Sequence, residues 1–241
     1  MLFAAGLGTR LQPFTLHHPK ALAMVNGKTL LERNILYLQT HGIYEVIINV
    51  HHFANQIIEL IALNKGWGSE ITISDETDAV LETGGGLQKA AWYFNDDEAF
   101  VVMNVDMLTN MPLTNMIAQH YANKPLATLA VTNRSSSRYF VFSTDNRLCG
   151  WRNTTTHQEK GPLLNYSQAE KHPLLTRAFS GIHIISNQIF PLIQQTGKFS
   201  LVDVYLSLCQ HYPIQSFNHS NSLLIDVGKP EAITKAEEMF V

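Results

Sequence analysis

Gly6 and Gly8, which follow a short apolar segment at the start of the chain, form a loop of a type that can bind phosphate. Glycine lets the backbone turn tightly and approach a ligand, so the N–H groups of the loop can face phosphate oxygens. We therefore expect a Cβ at Gly8 to occupy space that a phosphate needs. Two familiar patterns do not fit: a P-loop needs Lys and Ser or Thr where Thr9-Arg10 stands, and a dinucleotide-binding loop needs glycine where Leu11 stands. From the glycines alone, an ordinary turn after a strand remains an equal alternative.

A triplet of glycines and two aspartates are further candidates for a ligand site. Gly84–Gly86 precede a predicted helix (residues 86–94) and carry a large conformational penalty unless close backbone approach is needed there. Asp106 ends a predicted buried strand, and open α/β sheets bind their ligands at that end of their strands. Asp226 precedes Val227-Gly228, where a turn-forming aspartate is the alternative. The sequence pattern by itself does not pair the two aspartates.

Strands and helices alternate in the first half of the chain. The apolar, β-branched segments typical of buried strands are residues 1–4, 44–50, 70–74 and 99–103. The segments with a helical repeat of apolar side chains are residues 29–41, 53–63 and 86–94. This order predicts right-handed crossovers and a doubly wound, mostly parallel sheet of the α/β class, similar to a Rossmann fold.

After about residue 124 the pattern changes to consecutive short strands, which predict a smaller, more antiparallel part. We expect one domain over residues 1–241, with a first half (about 1–124) and a second half (about 125–241).

The composition argues against several classes of protein. The 241 residues are 45% hydrophobic and carry a formal net charge of -3, so no basic surface for nucleic acid is indicated. The apolar runs are too short to cross a bilayer, and no secretory signal opens the sequence. Cys149 and Cys209, the only cysteines, are expected to be buried free thiols, as in a reducing cytoplasm. We therefore expect a cytoplasmic protein that binds neither nucleic acid nor membrane.

Residues 6–15 and 19–22, which read GLGTRLQPFT and PKAL, resemble the signature of the sugar nucleotidyltransferase family. The resemblance implies that the glycine loop wraps the triphosphate of a nucleotide while Arg10 and Lys20 neutralise the charge that gathers around the α-phosphorus. It makes Arg10 and Lys20 the candidate catalytic residues. In this part of the chain, the residues that it places around the nucleotide are Ala5, Gly6, Gly8, Thr9, Arg10 and Lys20.

Residues 81–87 (LETGGGL) are similar to the family's stretch that passes the base and sugar of the nucleotide, which implies that Gly84 and Gly85 bind the nucleotide. This form is similar to that of the family's N-acetylmuramate α-1-phosphate uridylyltransferase branch. Asp106 and Asp226 match the two aspartates that jointly bind Mg²⁺, a hard cation well served by carboxylates, phosphate oxygens and water.

Asn104 and Gly181 match positions that the family places near the sugar phosphate. Gly181 stands in a segment similar to the strand under the sugar ring. Lys171 resembles a lysine that holds the sugar phosphate in hexose-1-phosphate relatives, but His172 interrupts that motif, and a loop lysine is the alternative. Val105 stands where the family usually has glycine, which leaves the neighbouring carboxylate in place but tightens the space beside it.

The resemblance implies in-line attack of a sugar-phosphate oxygen on the α-phosphorus of a nucleoside triphosphate, with pyrophosphate leaving and no covalent intermediate. UTP and an N-acetylated amino-sugar 1-phosphate, as used in peptidoglycan recycling, are the expected substrates, with Mg²⁺ as cofactor. The alternatives are guanylyl transfer to mannose or heptose phosphate, thymidylyl transfer to glucose phosphate, and a nucleotide-sensing subunit without turnover.

We expect a monomer or small homo-oligomer. Family members usually carry a few residues before the first strand, so the first strand is expected to be short or the chain clipped.

Overall fold

The computed structural model describes residues 1–162, 164 and 173–240, and in this part of the chain a ten-stranded mixed sheet forms the centre of the fold. The described strands, in chain order, are β1 (Leu2–Phe3), β2 (Met24–Val25), β3 (Lys28–Thr29), β4 (Glu45–Val50), β5 (Glu70–Asp75), β6 (Ala99–Asn104), β7 (Met107–Thr109), β8 (Ala127–Thr132), β9 (Arg138–Phe142), β10 (Leu148–Asn153), β11 (Glu159–Lys160), β12 (Leu175–Ser186), β13 (Ile214–Asn218) and β14 (Leu224–Asp226). The described α-helices are α1 (Leu30–Thr40), α2 (Ala54–Leu63), α3 (Glu82–Lys89), α4 (Leu113–Asn123), α5 (Leu201–Leu208) and α6 (Pro230–Met239).

The main sheet joins a parallel first half to a mostly antiparallel second half. Its hydrogen-bonded order is β11-β10-β9-β12-β6-β1-β4-β5, and β8 pairs with both β12 and β13. The neighbours β5, β4, β1 and β6 are parallel, whereas β12 runs antiparallel to β6, β8 and β9. The predicted α/β class, with a mixed and centrally parallel sheet, is confirmed.

Local sequence explains the first long helix and the strand that follows it. Thr29 caps α1 by accepting a hydrogen bond from the Glu32 N–H at 3.1 Å, and Gly42 follows the helix with a φ of +79°. Threonine is favoured before a helix because its side chain pairs with a free backbone N–H of the first turn. Glycine is favoured after a helix because it readily adopts the positive φ that ends it. In β4, Ile47 and Ile48 are fully buried, and each contributes about 1.5–3 kcal/mol by leaving water.

The helix α3 begins earlier than its apolar pattern predicts. It starts at Glu82, so the glycines Gly84–Gly86 lie inside the helix and not in a loop before it. Glycine is unfavourable in a helix by about 1 kcal/mol relative to alanine. A Cβ on the first of the three, however, would lie 2.4 Å from the ring of Phe199, and a Cβ on the second would lie 2.2 Å from the Gly197 carbonyl oxygen. The predicted loop was wrong because close packing against residues 197–199 overrides helix propensity.

Cys149 and Cys209 are buried and free, as expected. Burial raises the pKa of the Cys209 thiol to about 11. Within the described ranges, no helix has the length and apolar character needed to span a membrane.

Candidate active site

A cleft of about 340 Å³ lies at the carboxyl ends of the parallel strands β1, β4 and β6. Open α/β sheets bind ligands at this edge. The predicted site residues that line the cleft are Ala5, Gly6, Gly8, Thr9, Arg10, Lys20, Asn104 and Asp106. A larger groove of about 590 Å³ lies at the opposite, amino-terminal ends of the same strands and contains none of these residues. The smaller cleft is therefore the candidate active site.

The fold of the glycine loop depends on Gly8. Its φ is +63°, and a Cβ there would lie 2.9 Å from Thr15 Cγ2 and 3.0 Å from Lys20 Cβ. The Thr15 hydroxyl donates a 2.9 Å hydrogen bond to the Gly8 carbonyl oxygen and closes the loop. The expectation that a Cβ at Gly8 would occupy phosphate space is corrected, because it would meet the side chains of the loop itself. Gly8 instead lets the chain turn so that Lys20 reaches the cleft.

Gly6 is the glycine of this loop that faces open space. It is exposed, lines the cleft, and has no atom within 4 Å of the position that a Cβ would take. A side chain at Gly6 would therefore extend into the cleft without meeting the rest of the protein.

Two short strands outside the main sheet bring the predicted metal ligands together. β7 begins directly after Asp106, β14 ends at Asp226, and the two strands pair antiparallel with Asp226 opposite Met107. The Val227 N–H also donates a 2.8 Å hydrogen bond to the Asp106 carbonyl oxygen. Two aspartates from distant parts of the sequence therefore lie side by side.

Each aspartate contacts one of the two predicted cationic residues. The Lys20 ammonium contacts Asp106 Oδ2, and these side chains are only 11% and 16% exposed. Arg10 Nη2 lies 3.5 Å from Asp226 Oδ2, with side chains 56% and 38% exposed. Solvent screens the second pair, which contributes no more than about 1 kcal/mol, while the first pair is shielded from water and salt.

The oxygens at this site fit a hard divalent cation. Asp226 Oδ1 is buried and has no hydrogen-bond partner among the described residues. A Cβ on Gly228 would lie 2.5 Å from this oxygen and 2.6 Å from Arg10 Nη2, so glycine is needed there to leave room for both groups. No group of three or more His, Cys, Asp or Glu side chains that could hold a metal occurs among the described residues. Phosphate oxygens and water would therefore supply the remaining ligands of a Mg²⁺ held by the two aspartates.

The floor of the cleft contains a buried polar pair that the sequence analysis missed. Asn49 Oδ1 accepts a 2.7 Å hydrogen bond from the Ala4 N–H, and Asn49 Nδ2 donates to Glu76 Oε1 at 2.8 Å. Glu76 is 1% exposed, and burial raises the pKa of its carboxyl group. A buried carboxyl with a shifted pKa in a cleft is a functional candidate. The only sequence signal is the amide that interrupts the apolar run of β4.

Asn104 and Gly181 meet at the side of the cleft formed by the second half. Gly181 has a φ of +71° at a register shift in β12, and a Cβ there would lie 2.8 Å from Asn104 Nδ2. Asn104 lines the cleft, and Gly181 gives its amide room. Lys171 lies outside the described residues.

Gly84 and Gly85 are buried and do not line the cleft. Their N–H groups donate to the Phe199 carbonyl oxygen at 2.9 and 3.3 Å. The preceding residues Glu82 and Thr83 line the cleft instead. The start of this motif therefore lies at the cleft, while Gly84 and Gly85 pack against residues 197–199.

A doubly wound α/β sheet whose strand ends present a glycine loop, two cationic side chains and two carboxylates from paired backbone segments defines a protein class that binds phosphate esters. The chain belongs to the nucleotidyl transferase family, whose profile matches residues 1–240.

Comparisons with individual proteins add detail to this assignment. The chain is 38% identical over 110 residues to the N-acetylmuramate alpha-1-phosphate uridylyltransferase of Caulobacter vibrioides, which covers 45% of each protein. It is 27% identical to the D-glycero-alpha-D-manno-heptose 1-phosphate guanylyltransferase of Aneurinibacillus thermoaerophilus, covering 99% of this chain and 96% of the relative. The structure of HddC from Yersinia pseudotuberculosis complexed with GMP-PN has the same fold, with a TM-score of 0.78, 23% identity, and coverage of 100% and 98%. The chain spans about half the length of the first of these relatives and of a cyanobacterial glucose-1-phosphate uridylyltransferase.

Proposed function

We propose that this chain transfers a nucleotide from a nucleoside triphosphate to a sugar 1-phosphate and releases pyrophosphate. The observation that carries the proposal is the placement of Asp106 and Asp226 on paired backbone segments, each in an ion pair with a cationic residue of the cleft, Lys20 or Arg10. A protein that only sensed nucleotides would not need two carboxylates placed against a polyanion.

The reaction is an in-line attack of a sugar-phosphate oxygen on the α-phosphorus. The attacking phosphate is already ionised at neutral pH, so no general base is required, and positioning and charge neutralisation supply the catalysis. The backbone of the glycine loop binds the triphosphate, and Arg10, which is half exposed, reaches the leaving pyrophosphate. Lys20 neutralises charge near the α-phosphorus. Asp106 and Asp226 would hold a Mg²⁺, which would supply further positive charge to neutralise the phosphates.

We propose UTP as the nucleotide and the 1-phosphate of an N-acetylated amino sugar as the acceptor, as in peptidoglycan recycling. The similarity to the Caulobacter vibrioides uridylyltransferase supports this choice. The buried pair Asn49 and Glu76 offers polar atoms at the cleft floor, where the edge of a base needs hydrogen-bond partners. A missed buried hydrogen bond costs about 1–3 kcal/mol, so such a pair can discriminate between bases by roughly tenfold or more.

Guanylyl transfer is the second candidate, because the heptose 1-phosphate guanylyltransferase relative aligns over nearly the full length of both chains. Thymidylyl transfer to glucose 1-phosphate stays a further alternative, since a putative glucose-1-phosphate thymidylyltransferase is among the solved structures with the same fold.

A pyrophosphate-release assay tests the proposal. ATP, CTP, GTP and UTP are each offered with the 1-phosphates of N-acetylmuramate, N-acetylglucosamine, glucose, mannose and heptose, in the presence of Mg²⁺. We expect UTP with an N-acetylated sugar phosphate to give the fastest single-turnover rate, and Asp226→Asn to abolish most of it. Faster reaction with GTP would select the second candidate. Nucleotide binding without pyrophosphate release from any pair would identify a sensor.

A further inference from the structure

Lys20 contacts one of the two aspartates at the point where a metal would bind. Its ammonium group lies against Asp106 Oδ2. The backbone of Lys20 is held in a short 3-10 helix (Lys20–Leu22), and the start of its side chain lies close to Gly8, so only the outer part of the side chain is free to move. The carboxylate of Asp106 is therefore already neutralised when no ligand is present.

The two aspartates differ in how closely a cationic side chain neutralises their carboxylates. Asp226 faces an arginine at 3.5 Å that is more than half exposed, and its other carboxylate oxygen has no partner. Asp106, in contrast, faces an ammonium that is almost completely shielded from solvent. A divalent cation could reach Asp226 alone, but a single carboxylate binds such an ion weakly.

We propose that Lys20 excludes a divalent cation from Asp106 until a triphosphate draws its ammonium away, so that the metal enters with or after the nucleotide. Asp106 would hold a dication beside the Lys20 ammonium, and repulsion between two cations is strong in a site shielded from water. A triphosphate adds several negative charges to the cleft. The flexible stem of a lysine lets its point charge move to them without a change of backbone.

This inference rests on the proposed function only in that Asp106 and Asp226 are taken as the metal ligands. It gives Lys20 a role beyond charge neutralisation in the reaction. Metal and nucleotide then bind with positive coupling, and by thermodynamic reciprocity each raises the affinity for the other.

Binding of Mn²⁺ to the nucleotide-free protein tests the proposal without any turnover. The free Mn²⁺ signal in electron paramagnetic resonance is titrated with wild-type protein, Lys20→Met and Lys20→Gln. We expect both variants to bind Mn²⁺ about tenfold or more tightly than wild type, because the competing cation is gone. Lys160→Met is the matched control: it removes the same charge from an ion pair with Asp203, 3.0 Å long, that lies outside the cleft, and it should leave Mn²⁺ affinity within about twofold.

Melting temperature in Mn²⁺ provides a second readout that also confirms folding. Ligand binding stabilises the native state by RT ln(1 + [L]/Kd), so added Mn²⁺ should raise the melting temperature of the Lys20 variants more than that of wild type. Equal Mn²⁺ affinity in wild type and in both folded Lys20 variants would overturn the proposal.

The double variant Lys20→Met/Asp106→Asn separates this inference from the metal assignment. We expect it to lose the gained affinity. If Mn²⁺ affinity remains high in the double variant, the ion is not on Asp106, and both the exclusion and the metal assignment fail. If Asp106→Asn alone weakens Mn²⁺ binding while Lys20→Met changes nothing, the metal assignment stands and the exclusion by Lys20 fails.

Discussion

Alanine at Gly85 should lower the thermal stability of the protein and leave its affinity for nucleoside triphosphate nearly unchanged. The new Cβ would lie 2.2 Å from the Gly197 carbonyl oxygen and 3.0 Å from Leu81 Cβ. Because the first contact is to backbone, α3 and residues 197–199 must move apart. Overpacking of this kind costs about 1–3 kcal/mol, partly offset by up to about 1 kcal/mol from the better helix propensity of alanine. A net loss of about 1–2 kcal/mol lowers the melting temperature of a domain of this size by about 2–8 °C.

Alanine at Gly6 is the matched control, since it makes the same chemical change in the open cleft. It should leave the melting temperature within about 1 °C and weaken triphosphate binding by roughly fivefold, the equivalent of one hydrogen bond. Thermal melts and calorimetric titration with a non-hydrolysable UTP analogue measure both quantities. If Gly85→Ala weakened nucleotide binding without loss of melting temperature, the glycines of α3 would belong to the nucleotide site and the packing explanation would be refuted.

Three other outcomes follow from the site and the core. Asp106→Asn and Asp226→Asn should each reduce turnover about 10²-fold or more in a pyrophosphate-release assay, on the scale of lost electrostatic stabilisation, and wild-type turnover in either would contradict the metal assignment. His183 is buried against Tyr205, and burial lowers its pKa to about 3. Because this lies below the unfolded value of about 6.5, acid favours the unfolded state: the free energy of unfolding should fall by about 1.4 kcal/mol per pH unit from this group as pH drops below about 6.5. Denaturant titrations of His183→Gln should show a shallower pH dependence, and an equal slope would contradict the reasoning. Cys209, with its raised pKa and full burial, should react with a thiol reagent only after denaturation, and rapid labelling of the native protein would show that this region opens.

The central strands could be predicted from the sequence because each is a short run of apolar, β-branched residues. A short, β-branched and nearly continuous apolar run such as residues 44–50 is typical of a buried strand, and the structure has β4 at Glu45–Val50. The bounds of α1 were equally accessible, because Thr29 and Gly42 mark its ends by local chemistry.

The glycines of α3 could not be interpreted in the same way. Gly84 and Gly85 leave room for Phe199 and Gly197, more than a hundred residues further along the chain, and Gly86 leaves room for the Glu76 and Asn49 side chains. A local pattern contains no information about such a contact, so a loop was the natural expectation. For the same reason the pairing of Asp106 with Asp226 came from family resemblance and not from spacing.

Asn49 and Glu76 escaped prediction because a polar residue in a buried strand and an acid after another strand are each unremarkable alone. Their hydrogen bond, together with the bond from the Ala4 N–H, exists only once β1, β4 and β5 lie side by side. A hydrogen-bonded polar pair of this kind is found in the folded structure but cannot be predicted from a single sequence.

The pairing of β7 with β14 also affects the order of events during synthesis of the chain. β14 is the last strand of the described chain, whereas β1, β4, β5 and β6 all precede it. A ribosome adds about 5–20 residues per second, so the aspartate beside β7 emerges several seconds or more before its partner on β14. A nascent chain can therefore assemble the parallel sheet while only one of the two carboxylates is in place, but Leu11 of the glycine loop packs against Ile225 and Val227, which emerge with β14. The glycine loop and the second carboxylate should therefore reach their final positions together, when β14 pairs with β7.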